Sequence, residues 1–104
     1  MHFSVRTSNQ AELDIAEAAE YLSRDSIDTA LRFVDAVDQT ADLLAANPLL
    51  GEAYTHPRFA SLRFRPLTGF RSHLVFYQVQ ADGILIIRVL QGSRDLPEVL
   101  SGDS

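Results

Sequence analysis

The residues with the most chemical capacity in this 104-residue chain are arginines on alternating, strand-like segments: Arg63, Arg65, Arg71 and Arg88, with Arg94 just beyond. A guanidinium keeps its charge at any physiological pH and offers a planar fork of donors that fits phosphate or carboxylate oxygens. Gathered on one strand face, such groups could hold a phosphodiester backbone, stabilise charge on a phosphate in transfer, or receive an acidic peptide. A charged, exposed sheet face also needs no function at all, so these residues alone leave four readings open. The tract Arg88-Val89-Leu90-Gln91-Gly92-Ser93-Arg94-Asp95 concentrates the question, because it closes the apolar run Ile84 to Ile87 and sets two arginines around a glycine turn. Its plain structural reading is an ion pair of Arg94 with Asp95 or Glu98 that pins the C-terminal segment.

Other chemistry is thinner. The carboxylates Asp14, Glu17, Glu20, Asp35, Asp38 and Asp42 fall at helical spacings and read as a solvated helix face, without the Glu-x-x-His spacing of a carboxylate metal site. His2, His56 and His73 are dispersed and lack ligand spacing, so neither a metal nor a cofactor is expected. There is no cysteine, no Gly-x-Ser-x-Gly elbow and no phosphate-binding loop. The absence of cysteine excludes disulfides and thiolate metal sites and suits a reducing compartment. No hydrophobic run is long enough to span a bilayer, and Met1-His2-Phe3 lacks the layout of a signal peptide, so a cytoplasmic protein with no membrane contact is expected.

A net charge of -5 argues against a surface that coats nucleic acid, and no direct DNA binding is expected. The distribution is more telling: residues 1–52 carry ten Asp/Glu against three Arg, whereas residues 53–104 carry four against six. All the cations are arginine, which genome composition explains as readily as function does.

The elements that must position these groups form one domain over residues 1–104. Phe3 to Arg6 alternates as a short edge strand, and Asn9 with Glu12 three residues on starts a helix in the manner of a capping box. That helix runs to about Arg24 with Ala11, Ile15, Ala18, Ala19 and Leu22 on one stripe. Asp25-Ser26 caps a second helix whose predicted buried stripe is Ile27, Ala30, Val34, Val37, Ala41 and Leu44, ended by Asn47-Pro48. Glu20 with Arg24 and Asp28 with Arg32 are i,i+4 pairs, and the short link makes the helices an antiparallel hairpin.

From Arg58 the period changes to two. Leu62 and Phe64 oppose Arg63 and Arg65, Pro66 to Gly69 reads as a turn, a strand covers about Phe70 to Gln80, and Ala81-Asp82-Gly83 leads into a strand from Ile84 to Leu90. The fold class is therefore α+β: a short N-terminal strand, an antiparallel helical hairpin and a three-stranded antiparallel meander. Strict alternation puts Leu85, Ile87 and Val89 on one face of the last strand and Ile84, Ile86 and Leu90 on the other, beside Arg88. One hairpin covers one face, so the second is left for the Leu96 to Leu100 segment, for another chain, or for a strand buried within its own domain. Strand pairing is expected to bring Arg88 to Arg63 and Arg65 near Phe76 or Tyr77.

The order of elements and several local motifs together resemble the ParE/RelE superfamily of toxins from type II toxin–antitoxin modules, and the ParE branch most. The motifs are Ala11-Glu12-Leu13-Asp14-Ile15, Asn47-Pro48-Leu49-Leu50-Gly51, Leu62-Arg63, Phe70-Arg71 through Val75-Phe76-Tyr77, and Arg88-Val89-Leu90 with Gly92, Arg94 and Asp95. The resemblance implies a plasmid-stabilising toxin in a hetero-oligomer with a cognate, ParD-like antitoxin, and DNA gyrase as its target. It implies target contacts at Arg63, Arg65, Arg71, Arg88 and Arg94. The antitoxin is expected on the second face, at Ile84, Ile86 and Leu90 with Tyr77. In the RelE branch, which cuts messenger RNA on the ribosome, the catalytic set would be Arg63, Arg65, Arg71 and Arg94 with a C-terminal tyrosine, whose position here is taken by Leu100. Without that phenol no proton carrier is evident, so a non-catalytic inhibitor is expected. Gln91 stands where many ParE-like sequences have histidine. A third implied reading is an attenuated toxin that serves mainly in antitoxin-linked repression.

Overall fold

A hydroxyl begins each helix. In the computed structural model, which describes residues 4–92, Ser8 caps α1 (Asn9–Ser23) by accepting from the Ala11 N–H at 3.0 Å, one residue earlier than the Asn9 capping box predicts. The Ser8 hydroxyl is itself fixed, donating to the Ile87 carbonyl at 2.8 Å, which ties the helix start to the sheet. Ser26 caps α2 (Ile27–Ala46) through the Thr29 N–H. The two helices form the expected antiparallel hairpin, with the Glu20–Arg24 pair at 3.0 Å. Arg32 donates to Thr29 and not to Asp28.

The sheet has five strands in the order β1 (Ser4–Thr7), β5 (Gly83–Gln91), β4 (Phe70–Gln80), β3 (Leu62–Leu67) and β2 (Glu52–Ala53). The last three strands in sequence form the predicted antiparallel meander, β1 joins β5 in parallel, and the short β2 adds an unpredicted edge to β3. Gly83 makes the β1–β5 pairing possible, because a Cβ there would lie 1.9 Å from the Ser4 carbonyl oxygen.

The hairpin packs on one sheet face, around Phe33, Val37, Ala41 and Leu44 from α2 and Val75, Tyr77, Ile84, Ile86 and Val89 from the strands. Phe33 is fully buried and meets Phe70 and His73 edge to face, at 5.3 and 5.0 Å between ring centroids. This seating sets the rotation of α2 and overturns part of the predicted stripe. Phe33, Ala36 and Thr40 turn inward, while Ile27 and Val34 are exposed together with Leu31. The second face carries a smaller cluster of Leu62, Phe76, Ile87 and Leu90, on which Tyr54 packs edge to face against both Phe64 and Phe76.

A bulge in β5 separates the observed faces from the alternation drawn from the sequence. Val75 faces Val89 and Phe76 faces Arg88, but Tyr77 faces Ile86, so Ile87 is the extra residue. Beyond it the phase slips by one. Ile84, Ile86 and Val89 therefore share the helical face, and Leu85, Ile87 and Leu90 the other.

Candidate functional site

Arg88 is the first consequence of that bulge. It does not join Arg63 and Arg65: its Nε and a terminal nitrogen donate to both carboxylate oxygens of Asp14 on α1, at 2.8 and 3.0 Å. Both side chains are largely buried, and the same carboxylate accepts the Val89 N–H at 3.0 Å. Asp14 is thus no solvated helix carboxylate, and Arg88, expected as a target contact, is a fastening between α1 and β5. The signal in the sequence was positional: Asp14 lies three residues after Ala11 and four before Ala18, inside the buried stripe.

Arg63 and Arg65 do share a face, opposite Tyr77 and Val75 respectively. Arg63 is largely committed. One terminal nitrogen donates to the Gly51 carbonyl at 2.6 Å and to the Leu49 carbonyl at 3.3 Å. Tyr77, fully buried, completes the grip by donating to the Pro48 carbonyl at 2.6 Å and accepting from the Gly51 N–H at 2.9 Å. The segment Asn47-Pro48-Leu49-Leu50-Gly51 is therefore held from beneath by two strand side chains. It leaves Leu49 69% and Leu50 42% exposed. Burial pushes the Tyr77 phenol up, against the opposing pull of the Gly51 N–H and of nearby Arg63 and Arg65, so it is a neutral donor at physiological pH.

The expected antitoxin contacts also move. Ile84, Ile86 and Tyr77 lie in the core beneath this chain's own hairpin, so the free apolar face drawn from them is not there. Leu90 lies on the second face and is itself buried. The helices pack on the side of Ile84 and Ile86, and the bulge carries Leu90 to the other side, where it is covered within the second cluster.

Arg65 and Arg71 are the cations left available. They line a shallow cleft of about 410 Å³ at the β3–β4 turn with Pro66, Leu67, Thr68 and Gly69, and neither has a carboxylate partner among the described residues. Arg94, Asp95, Glu98 and Leu100 lie outside the described residues, as does the segment Leu96 to Leu100.

A second cleft, of about 720 Å³, runs between α1 and the ends of β4 and β5 and is lined by Tyr21, Phe70, Ser72, His73 and Gln91 among others. Nδ1 of His73 is buried there without a hydrogen-bond partner among the described residues, and burial holds its pKa below the ordinary imidazole value. The unfolded chain therefore takes up a proton before the folded one does. Stability is full above about pH 6.5 and declines as the pH falls through that value towards the lower folded pKa. Urea unfolding at pH 7.5 and 5.5 should show this loss, and His73→Phe, which keeps an aromatic ring against Phe33, should shrink it. An unchanged pH dependence in the variant would refute the assignment.

Taken together the described residues offer a split molecule. The segment from α1 to α2 carries nine carboxylates against two arginines, while residues 47–92 carry five arginines against two carboxylates. No group of three or more metal-ligating side chains occurs among the described residues, and no helix is long and apolar enough to cross a membrane.

Residues 5–96 match the family model described as the ParE toxin of the type II toxin–antitoxin system parDE. The chain belongs to the ParE toxin family. Among solved structures the ParE-like fold is matched by one described as the chromosomal ParDE TA system from P. aeruginosa, at 18% identity and a TM-score of 0.64, covering 86% of this chain and 95% of that one. No curated protein matches. The α+β class predicted from sequence is thus the fold of this ParE family member, with the expected N-terminal strand paired to β5 and one strand, β2, added to the meander.

Proposed function

We propose that this ParE family member is a toxin neutralised by a cognate, ParD-like antitoxin and that it inhibits DNA gyrase by binding, without covalent chemistry. One observation carries the non-catalytic reading. The phenol beside Arg63 and Arg65 has both its donor and its acceptor committed to the Pro48–Gly51 loop, and burial keeps its proton in place. Arg63 is spent on the same loop, so Arg65 and Arg71 supply charge and fork geometry but no proton transfer. Such a surface fits recognition of an acidic partner.

The antitoxin has a different surface to use. Ile27, Leu31 and Val34 recur at i, i+4 and i+7 on the outside of α2, flanked by Asp28, Asp35 and Asp38. That pattern suits an amphipathic segment with basic flanks. Purified gyrase tests the target: supercoiling should fail at excess toxin and recover when the antitoxin, the product of a neighbouring gene, is added. Unchanged supercoiling would overturn the gyrase reading. Cleavage of ribosome-bound message, abolished by Arg65→Ala, would replace it with the ribonuclease.

A further inference from the structure

The loop after α2 is built in an unusual way for a connection. Five residues, Asn47 to Gly51, carry two neighbouring leucines that the core does not use, since neither belongs to either buried cluster. An exposed loop with two idle leucines would ordinarily be free to fold them away. Here it is not free. The Pro48, Leu49 and Gly51 carbonyls and the Gly51 N–H are all held by Tyr77 and Arg63, and the Leu50 N–H closes a turn onto the Asn47 carbonyl at 3.0 Å. Leu43, in the last turn of α2, adds a third partly exposed aliphatic side chain close by in sequence. Rigid presentation of apolar side chains lowers the ordering cost of binding and gains nothing for the isolated fold.

The surroundings say what kind of partner this suits. Arg65 stands two residues along β3 from Arg63 on the same face, about 7 Å away by strand geometry. Its charge is felt at the Tyr77 phenol, which is hydrogen-bonded to this loop. Arg71 shares the next cleft with Arg65. A pair of leucines bordered by cations matches a surface with an apolar socket and carboxylates at its rim.

We propose that Leu49 and Leu50, with Arg65 beside them, are the anchor by which this protein grips its target, an acidic protein surface bearing an apolar socket. The inference rests on the reading that the protein acts by binding another protein, and it adds Leu49 and Leu50 to Arg65 as contacts with the target. The acidic hairpin of a second copy would also attract this patch, but a head-to-tail contact builds rings or filaments in which the chain's own copies occupy the anchor. A protein that acts by binding its target needs that anchor for a different protein.

Two variants test the anchor: Leu49→Ser with Leu50→Ser, and separately Arg65→Glu with Arg65→Lys as its conservative control. Leu49 and Leu50 are exposed, so the leucine variant should keep the urea midpoint of the unaltered protein, whereas Arg65 is half-buried and Arg65→Glu is compared under conditions where it is fully folded. Against purified gyrase, the leucine variant and Arg65→Glu should each need at least about tenfold more protein for half-inhibition, while Arg65→Lys stays close to the parent. Growth arrest on expression without antitoxin should be lost in the same two variants while both still co-purify with the antitoxin. Inhibition retained by either variant overturns the anchor. If the parent leaves gyrase untouched, the gyrase reading fails separately, and growth arrest then decides: arrest lost in the leucine variant upholds the anchor for another target, and arrest retained sinks it. A parent that arrests nothing, or a parent dimer that the leucine variant converts to monomer, also overturns it.

Discussion

Replacing Asp14 by alanine is expected to lower the unfolding free energy by about 3–5 kcal/mol, the usual cost of removing one partner of a buried ion pair. The Arg88 guanidinium would lose two short hydrogen bonds in a site where its side chain is 14% exposed, and the Val89 N–H would lose its acceptor. Urea denaturation of the two proteins side by side checks the value. For a domain of this size the melting temperature should fall by roughly 12 °C or more. A second variant separates charge from packing. Asp14→Leu combined with Arg88→Met removes both charges and should recover most of the loss, because apolar replacements of buried pairs are close to neutral. The remainder, about 1–3 kcal/mol, belongs to the orphaned Val89 N–H. A double variant no more stable than Asp14→Ala would show that the carboxylate acts through something other than Arg88.

Gly51→Ala should cost about 2–3 kcal/mol, near the upper end of the range for overpacking a filled site. The added methyl carbon would lie 2.6 Å from the Tyr77 hydroxyl oxygen and 2.8 Å from the Phe64 carbonyl oxygen. Neither can give way easily, one being backbone in a paired strand and the other a fully buried ring that grips the loop. Removing the hydroxyl relieves the shortest of these contacts, though the Phe64 carbonyl and the ring's Cε1 stay at 2.8 Å, so Gly51→Ala with Tyr77→Phe should cost less than the sum of the single changes. That non-additivity, read from a double-mutant cycle, is the signature of direct contact. Strict additivity would refute the clamp. Because the same clamp presents Leu49 and Leu50, Gly51→Ala should also weaken target inhibition under conditions where the protein is still fully folded.

The sequence was legible wherever a local rule acts alone. Asn47-Pro48 stops α2 because proline excludes helical geometry from the residue before it. The change of period near residue 60 announces the meander, and the Asp82-Gly83 turn marks the β4–β5 hairpin. The shared face of Arg63 and Arg65 follows from the two-residue pleat, which β3 obeys. Prediction failed where two elements had to choose one another. α2 has apolar residues on two overlapping stripes, and only the seating of Phe33 between Phe70 and His73 decides which one is buried.

By itself, then, the sequence determined the class, the order of the main elements, the uneven charge and the family resemblance, because periodicity, turn chemistry and residue type are local properties. Tertiary structure decided which arginines are available. A single extra residue, Ile87, shifts β5 by one step, turns Arg88 to Asp14 and puts Val89 in place of Leu90 under the hairpin. Nothing local marks that step, since no glycine stands there and bulges answer to the partner strand. The roles of Tyr77 and Arg63 were hidden for the same reason: their partners lie more than ten residues away, and only the folded chain brings the Pro48–Gly51 loop over them.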